Sequence, residues 1–575
     1  MQSNSDFTRQ VNHFHPTPSS PSEPTVGSGS QQPVLDPIFR AATLVPMREP
    51  RIFVIRAIAI LVLLVGMALL PGLGCRHVPP PEYTPRLDHS ALVIVLDGLR
   101  PDYVTPALMP NLYALGQRGV VARNHHSVFP TVTRVNAASM VTGSYPARHG
   151  LMGNAVYFPA ISPNTAFDTA SAADLQRIEA TTGGQLLTAP SLGEILQQGG
   201  RKFLAISSGS SGSAFLLNHK GAGGGLLHSK LVLPPSLQPL VSERLGPVPP
   251  DASPNTARNR RAVDAYLRIG LDHIRPDVTL MWLSDPDHTQ HTYGIGAPMT
   301  LAAIRQVDAE LGRMVAALAA RGLQDQVNIL VTSDHGFSTH TGGMDLPGLF
   351  KTEVQSGSLF IVEGAIYVKN HDTNIIRRLV KQLQATDWAG AIFTQSLLPG
   401  RSDGSVPGTL SFELARWTHP RAADILVAAN WTDAPNPYGY LGTSTQKEEG
   451  EPAGHGTSSP YDIHNILIAA GPDLKSGLIS DVPSGNVDFA PTLCYLNGLP
   501  PPASMDGRVL KELLRGGPLP TTIKVQKFNY RTQARTERGE YQLELSSSAV
   551  SGTEYLNYAR AKRPPEPPKP AAKPK

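Results

Sequence analysis

Carboxylate and imidazole side chains follow three apolar, strand-like stretches of this 575-residue chain. The first stretch ends in "VLDG", the second leads into "DPDHTQHTYG", and the third ends in "TSDHG"; a further histidine stands in "GHG". An aspartate and a histidine four residues apart share one helix face, and mixed oxygen and nitrogen donors suit zinc. The pattern therefore predicts a pair of metal sites. The candidate ligands are Asp97, Asp285, Asp287, His288, His291, Asp334, His335 and His455.

A second group of candidate functional side chains, the hydroxyls of two threonines, lies in "FPTVTRVNAASMVTGSYPARHG", residues 129–150. Thr131 and Thr133 precede a run of small residues that predicts a helix ending at Gly143. These hydroxyls either cap the helix or include a nucleophile, since metal coordination activates a threonine and a helix N-terminus receives phosphate oxygens. Two cations about 4 Å apart would clamp the attacking and leaving oxygens of a displacement at phosphorus.

The elements that must position these groups are buried strands alternating with helices. The clearest helix covers 300–322, with apolar residues at helical spacing. This alternation predicts an α/β fold with a largely parallel sheet, in which ligands bind beyond the carboxyl ends of the strands. The apolar strand candidates are 91–99, 203–209, 278–285, 327–336 and 465–473.

The amino-terminal part has the composition of an export signal. Three arginines precede the uncharged stretch 57–70, and a Pro/Gly break follows it. Gly74-Cys75 resembles the end of a bacterial lipoprotein signal, so a lipid anchor and an uncleaved membrane anchor are both open. Either route places the folded part outside the cytoplasm, in the periplasm or at the cell surface. The polar segment before it makes Met47 an alternative start.

Net charge and cysteine content exclude two other classes of protein. The formal charge is +4, but residues 560–575 alone contain six cations against Glu566. The remainder is near neutral, so no nucleic-acid binding is expected. With Cys75 and Cys494 as the only cysteines, a disulfide framework is excluded.

The motifs, in order, resemble the alkaline phosphatase superfamily, and specifically its nucleotide pyrophosphatase/phosphodiesterase branch. The resemblance covers roughly residues 90–510 and rests on "VLDG", "FPTVTRVNAASMVTGSYPARHGLMGN", "DPDHTQHTYG", "TSDHG" and "GHG". It implies a three-layer α/β sandwich with a mostly parallel central sheet flanked by helices, plus a small inserted α+β subdomain. The expected organisation is a polar segment 1–46, a signal or anchor 47–75, a linker 76–88, a catalytic domain 89–515 containing a smaller subdomain 350–450, and a C-terminal extension 516–575 with a Pro/Lys-rich disordered tail.

The resemblance also implies residue roles. Thr133 matches the nucleophile that forms a phospho-threonine intermediate, Asn154 matches the residue that holds a nonbridging oxygen, and Thr131 is left to packing or capping. Two Zn²⁺ ions are implied. The ligands of the metal that activates Thr133 would be Asp97, Asp334 and His335, and those of the second metal Asp287, His291 and His455. The histidines that match no catalytic position are His125, His126, His149, His288, His340 and His464.

Substrate preference is the point at which this chain departs from its relatives. Arg134 replaces the phenylalanine common in nucleotide-cleaving members, whereas Trp282 matches the second aromatic wall. Arg134 would bind an anionic group or offer its aliphatic stem for stacking. The region 207–225 is mostly Ser and Gly, with only His219 and Lys220 as candidate cations.

The expected substrate is therefore a small phosphate diester or phosphoanhydride. A monoesterase or a phosphonate hydrolase is the alternative within the superfamily. A non-catalytic binding protein is disfavoured because seven matching site residues are present. A serine hydrolase is disfavoured because "SSGSSGS" lacks a G-x-S-x-G motif.

Overall fold

The computed structural model describes residues 84–446 and 450–564. The predicted segments 1–46 and 47–75, most of the linker 76–88, and the end of the C-terminal tail lie outside the described residues. None of the helices in the described ranges is both long and apolar enough to cross a lipid bilayer.

The central sheet has ten strands and contains all five apolar runs predicted as strands. Strand Ser90–Leu96 lies in the middle and pairs in parallel with Val278–Leu283 on one side and Val327–Thr332 on the other. All three are buried, as expected of strands covered on both faces. Across the sheet the order is Leu478–Ser480, Val120–His126, His464–Ala470, Val327–Thr332, Ser90–Leu96, Val278–Leu283, Phe203–Ser207, Gly225–His228 and Leu231–Leu233, with Ser484–Gly485 also paired to Val120–His126.

Helices cover both faces of this sheet. Alternate residues of the middle strand point to opposite sides: Val93 joins one buried apolar cluster and Ile94 the other. The result is the predicted α/β architecture with a mostly parallel central sheet. The helices are Pro110–Arg118, Thr133–Thr142, Pro146–His149, Ala172–Thr181, Leu192–Gln198, Ser211–Leu217, Gln238–Leu245, Thr256–Ala265, the π-helical Tyr266–Ile274, Asp287–Tyr293, Pro298–Ala320, Leu346–Leu349, Lys351–Gln355, Thr373–Gln384, Pro460–Ile463 and Phe489–Leu496.

A second, five-stranded sheet lies within the range 350–450 assigned to the smaller subdomain, and helix Thr373–Gln384 lies in the same range. A four-stranded sheet joins Ser338–His340 to Ala453–Gly454, Leu441–Ser444 and Trp431–Pro435. The strands of the five-stranded sheet are Leu359–Val362, Ala365–Val368, Ile425–Ala429, Ala389–Thr394 and Leu410–Ser411, in spatial order.

The C-terminal region contains three long antiparallel strands that were not predicted: Gln526–Thr536, Gly539–Val550 and Thr553–Lys562. Their apolar side chains, including Tyr541 and Leu543, pack in the same buried cluster as the five-stranded sheet. The missed signal is the alternation in "EYQLEL", which places one face of the strand against that cluster.

His149, which has no predicted catalytic role, is buried in one defined tautomer. Its Nδ1 accepts a hydrogen bond from the Leu151 N–H at 3.1 Å, so its Nε2 carries the proton and donates to Ser139 Oγ at 3.0 Å. Burial lowers the pKa of His149 to about 3. The folded protein therefore binds a proton at this ring less readily than the unfolded chain, in which a histidine titrates near 6.5.

We predict that His149 contributes to loss of stability in acid. The stability that depends on neutral His149 is fully present above about pH 6.5 and decreases as the pH falls toward 3. By pH 5 this effect has lowered the free energy of unfolding by about 2 kcal/mol. His149→Gln offers an acceptor and a donor in place of the two ring nitrogens and removes the titration, so its free energy of unfolding in urea should change less between pH 7.5 and pH 5. His273→Gln, at an exposed histidine, is the control. Equal pH slopes for wild type and His149→Gln would contradict the assignment.

Candidate active site

The candidate ligands converge because their strands end level at one edge of the sheet. Leu96 pairs with Leu283, and Val95 pairs with Thr332. The residues that follow each strand, including Asp97 and Asp334, therefore come together in space. Asp97, Asp287 and Asp334 thus meet at the carboxyl edge of three neighbouring parallel strands. Asp285 and His288 belong to neither cluster, and Asp285 instead accepts hydrogen bonds from Asn255 and Asn259.

Two three-residue clusters form there. In each cluster one potential ligand atom per residue lies within 4.8 Å of the others. The clusters adjoin, since the rings of His335 and His455 stack with centroids 3.6 Å apart and His335 Nε2 lies 4.0 Å from Asp287 Oδ1. We call them the first cluster, which is Asp97, Asp334 and His335, and the second cluster, which is Asp287, His291 and His455.

Thr133 lies beside the first cluster. Its Oγ1 is 3.2 Å from His335 Nε2, and the residue is 4% exposed. Thr133 is the first residue of helix Thr133–Thr142. The helix ends at Gly143, as predicted, and Gly143 has φ +63°. Neither Thr131 nor Thr133 caps this helix, because the N-cap is Val132 and no side chain caps it. The buried hydroxyl therefore faces the clusters at the start of a helix.

The polar atoms that face inward fit a cation. Asp97 Oδ1, Asp287 Oδ1 and Asp334 Oδ2 are buried and receive no hydrogen bond from the described residues. A buried carboxylate oxygen without a donor is costly, and a metal ion removes that cost. Two carboxylates with one imidazole, and one carboxylate with two imidazoles, are donor sets that suit zinc.

The electrostatics of the clusters also favour cations. Burial, followed by the nearby charges of Asp334 and Asp287, raises the pKa of Asp97 well above its usual value. Burial alone would raise the pKa of Asp287, but the histidines around it lower it instead. Burial would lower the pKa of His291, but Asp287 and then Glu451 raise it to about 10. The carboxylates thus repel one another unless positive charge lies among them.

Trp282 does not occupy the position predicted for it. Its side chain is fully buried in strand Val278–Leu283, and its Nε1 donates a hydrogen bond to Asp97 Oδ2 at 2.8 Å. An indole with no exposed face cannot form a wall for a substrate. The structure therefore corrects that interpretation, and Trp282 orients a candidate metal ligand instead.

We predict that Trp282→Phe weakens metal binding at the first cluster. The change keeps an aromatic ring in the core and removes the N–H that fixes Asp97, and losses of this kind reduce metal affinity by about 10- to 100-fold. Zinc titration of the apoprotein by calorimetry measures the effect. A change in KM with unchanged zinc affinity would indicate that Trp282 contacts substrate after all.

Several residues that sequence reasoning did not select hold the ligands in place. Glu451 Oε2 accepts from His291 Nδ1 at 3.0 Å, which leaves His291 Nε2 directed toward Asp287 at 3.4 Å. The Thr131 carbonyl accepts from His455 Nδ1 at 2.9 Å, and Thr131 Oγ1 accepts from the Gly456 N–H at 3.1 Å. Thr131 therefore positions the loop of the second cluster. The short "PTVT" motif by itself did not indicate the partners of the Thr131 hydroxyl.

Gly98 is required by close packing beside the first cluster. Its φ is +69°, and a Cβ there would lie 2.9 Å from the Phe337 ring and 3.0 Å from Asp287 Cβ. Its N–H donates to Asp334 Oδ1 at 3.0 Å. The glycine of "VLDG" therefore allows the turn after the strand to fit between the two clusters.

Asn154 and Arg134 lie next to Thr133. Asn154 Oδ1 accepts from the Arg134 N–H at 3.1 Å, which turns the Nδ2 donors the other way. No hydrogen bond reaches Nδ2 from the part of the chain that the structure describes. These donors line a cavity shared with Thr133. The arrangement leaves an amide available to a bound oxygen.

Two cavities meet at Thr133. The larger, of about 500 Å³, lies over the second cluster and has walls that include Met152, Leu346 and Tyr367. The smaller, of about 310 Å³, lies on the side of Asp97 and the serine segment 208–213. Thr133, Arg134 and Asp287 line both. A molecule bound at Thr133 can therefore extend in two directions.

The fold and the site define an α/β protein with two adjoining candidate metal clusters and a buried threonine at the carboxyl edge of its sheet. Residues 91–434 match the family model of type I phosphodiesterase / nucleotide pyrophosphatase. The match covers more than half of the chain, and the protein belongs to this family. The resemblance inferred from the motifs is confirmed.

Among similar proteins, human ectonucleotide pyrophosphatase/phosphodiesterase family member 7 is 27% identical over 293 residues, 51% of this chain and 55% of that protein. The mouse member 7 is 24% identical over 475 residues, 79% of this chain and 92% of that protein. Venom phosphodiesterase 2 of Crotalus adamanteus is 26% identical over 253 residues, 43% of this chain and 27% of that protein. This chain thus spans about half the length of the human relative and about a quarter of the venom relative.

Solved structures show the same fold. Murine ectonucleotide pyrophosphatase/phosphodiesterase 5, solved as an inactive variant in complex with AMP, superposes with a TM-score of 0.53 at 19% identity. The superposition covers 74% of this chain and all of that chain. The human form of the same protein also has a TM-score of 0.53, at 18% identity.

Proposed function

We propose that this chain is a zinc-dependent hydrolase of small phosphate diesters or phosphoanhydrides that works through a phospho-threonine intermediate. The observation that carries the proposal is the position of Thr133 Oγ1, which lies 3.2 Å from a first-cluster histidine where two cavities meet. Family membership and the activities for which the relatives are named support the same reaction class.

In this proposal the residues have the following roles. Thr133 Oγ1 attacks phosphorus, the bond from phosphorus to the leaving oxygen breaks, and water then cleaves the new ester and restores the hydroxyl. The Asn154 Nδ2 donors hold a nonbridging oxygen through the attack. Two zinc ions, one on each cluster, would supply the positive charge that lowers the pKa of the Thr133 hydroxyl and stabilises the charge that develops in the transition state. Trp282, Glu451 and Thr131 keep the ligands oriented.

The test is a comparison of kcat/KM for four chromogenic substrates on the zinc-loaded protein. They are bis-p-nitrophenyl phosphate, p-nitrophenyl phosphate, p-nitrophenyl phenylphosphonate and the p-nitrophenyl ester of thymidine monophosphate. We expect a diester to be cleaved fastest. A preference for the monoester or the phosphonate would replace the substrate class but keep the site, whereas metal binding without turnover of any substrate would favour a binding protein.

We also propose that the protein acts outside the cytoplasm, held at a membrane through residues 47–75 or a lipid on Cys75. The proposal rests on the order of arginines, apolar stretch and Gly-Cys in that segment. Fractionation of cells that produce the full chain or a chain without residues 47–75 tests it. Equal distribution of the two chains would rule out a targeting role.

A further inference from the structure

The smaller cavity beside Thr133 has a polar lining that contains three cationic and three anionic side chains. Hydroxyls of the segment 208–213 form one wall, and no Phe, Tyr or Trp is among the described residues that line it. The charged and polar groups of the lining instead indicate the kind of ligand that the cavity would bind.

Two of its three basic side chains have their charge available. No ion pair or hydrogen bond from the described ranges reaches the Lys230 ammonium or the two Nη atoms of Arg134. Arg134 is held only through Nε, which donates to Thr169 Oγ1 at 3.4 Å. The third cation, Arg258, is paired with Asp251 at 2.9 Å. The carboxylates of Asp97 and Asp287, which also line the cavity, belong to the metal clusters.

Lys230 is placed at this cavity by its own backbone. The Lys230 N–H donates to His228 Nδ1 at 3.2 Å, and His228 Nε2 donates to the Gly209 carbonyl at 3.0 Å. Ser208 Oγ donates to Asn259 Oδ1 at 2.6 Å and accepts from the Ser284 N–H at 3.0 Å. Lys230 and the serine wall are therefore fixed relative to each other and to the loop that leads to Asp287.

The larger cavity has the opposite character. Glu363 and Glu451 contribute carboxylates to it, one accepting from the Asn154 N–H and the other from His291. Much of the remaining wall is apolar, with Met152, Met344 and Leu426 among its residues. Arg134 lines both cavities and Lys230 only the smaller one, so negative charge on a ligand is better accommodated on the Lys230 side of Thr133.

The two candidate cations of the segment 207–225 do not serve this purpose. His219 is buried, and Lys220 Nζ is bonded to Glu179 and to the Gly184 carbonyl, away from both cavities. Lys230 was not selected because it lies beyond the segment 207–225. The strand pairing of Phe203–Ser207 with Gly225–His228 brings it back to the end of the serine segment.

We propose that the Lys230 cavity is a specificity subsite for a second anionic group, a carboxylate or a phosphate, carried on a small arm of the substrate. The volume of about 310 Å³ is at the lower end of the range for small-molecule pockets and accommodates a short arm beyond the scissile phosphate. The inference rests on the proposed hydrolase function and names its substrate class: a diester with one charged arm, bound by Lys230 and Arg134.

Three matched diesters test the subsite, each releasing p-nitrophenolate and differing only in the other arm: 3-carboxypropyl, 3-phosphonooxypropyl and the neutral 3-carbamoylpropyl. We expect the zinc-loaded protein to show kcat/KM at least about tenfold higher for a charged arm than for the neutral one. The two charged arms distinguish carboxylate from phosphate recognition. Lys230→Gln and Arg134→Gln should bring the ratio toward one, whereas Lys220→Gln, at a lysine outside the cavity, should leave it unchanged.

Each contrary result has a distinct meaning. Turnover of the neutral arm with a charged-to-neutral ratio near one overturns the subsite and leaves the hydrolase function standing. A high ratio that survives Lys230→Gln places recognition elsewhere and also overturns the assignment. Faster cleavage of p-nitrophenyl phosphate than of any diester shows that the cations serve the transferred group itself. No turnover of any of these compounds removes the proposed function, and the subsite with it.

Discussion

Thr133→Ala should lower kcat/KM for bis-p-nitrophenyl phosphate by about 10³-fold or more while both metal ions stay bound. The change removes the hydroxyl that lies 3.2 Å from His335 Nε2 and leaves all six side chains of the two clusters. Activity and metal content are therefore expected to separate. Steady-state kinetics measures the first, and elemental analysis of the dialysed protein measures the second.

Thr131→Ser is the matched control, because it changes the neighbouring threonine and keeps a hydroxyl. That hydroxyl still donates to the Thr457 carbonyl and accepts from the Gly456 N–H, so the loop of His455 keeps its position. We expect activity within a few-fold of wild type. In wild-type protein quenched with acid during turnover, mass spectrometry should find the phosphoryl adduct on the peptide containing Thr133. An active Thr133→Ala protein would mean that another group attacks phosphorus.

Asp287→Asn should reduce bound zinc from about two ions per chain to about one and lower turnover by about 10²-fold or more. Asp287 Oδ1 lies 3.4 Å from the Nε2 atoms of both His291 and His455, so it is the charge shared by the second cluster. The amide has nearly the same shape but lacks that charge. Elemental analysis and calorimetric zinc titration check the loss.

The same variant should not unfold the protein. Without a cation, Asp287 repels Asp97 but is held charged by His291 and His455, so the change relieves one repulsion and removes two attractions. In the presence of EDTA, the melting temperature of Asp287→Asn should be lower than that of wild type, with a single cooperative unfolding transition retained. Asp325→Asn, at an exposed aspartate, controls for a general loss of acidic charge. Full zinc content in Asp287→Asn would contradict the ligand assignment.

Sequence reasoning predicted the central sheet well because a strand buried on both faces must be apolar along its whole length. The run "ALVIVL" is apolar throughout, as is typical of a strand in a buried parallel sheet, and the polar residue after it marks the strand end. The C-terminal strand Gly539–Val550 was missed because only one of its faces is buried over residues 539–546. Serines interrupt its alternation of apolar and polar residues. Its apolar face can be recognised only once the five-stranded sheet against which it packs is known.

Trp282 and Thr131 show a second kind of limit. Both lie in motifs next to predicted site residues, and the residue type of each is compatible with more than one role. Which role applies depends on the direction in which the side chain points: Trp282 toward Asp97 inside the core, and Thr131 toward the loop of His455. Such directions follow from packing between segments that are far apart in the chain.

The sequence by itself determined the α/β class, the candidate ligands and the threonine beside them, because strand burial and metal chemistry each require particular residue types at particular spacings. Only the tertiary structure decided that the two predicted ligand sets lie against each other, that Trp282 supports Asp97, and that Lys230 lies at the cavity beside Thr133. The physical reason is that cavities and clusters are built where strand ends and loops from distant parts of the chain meet. Their charge and shape exist only after the chain has folded.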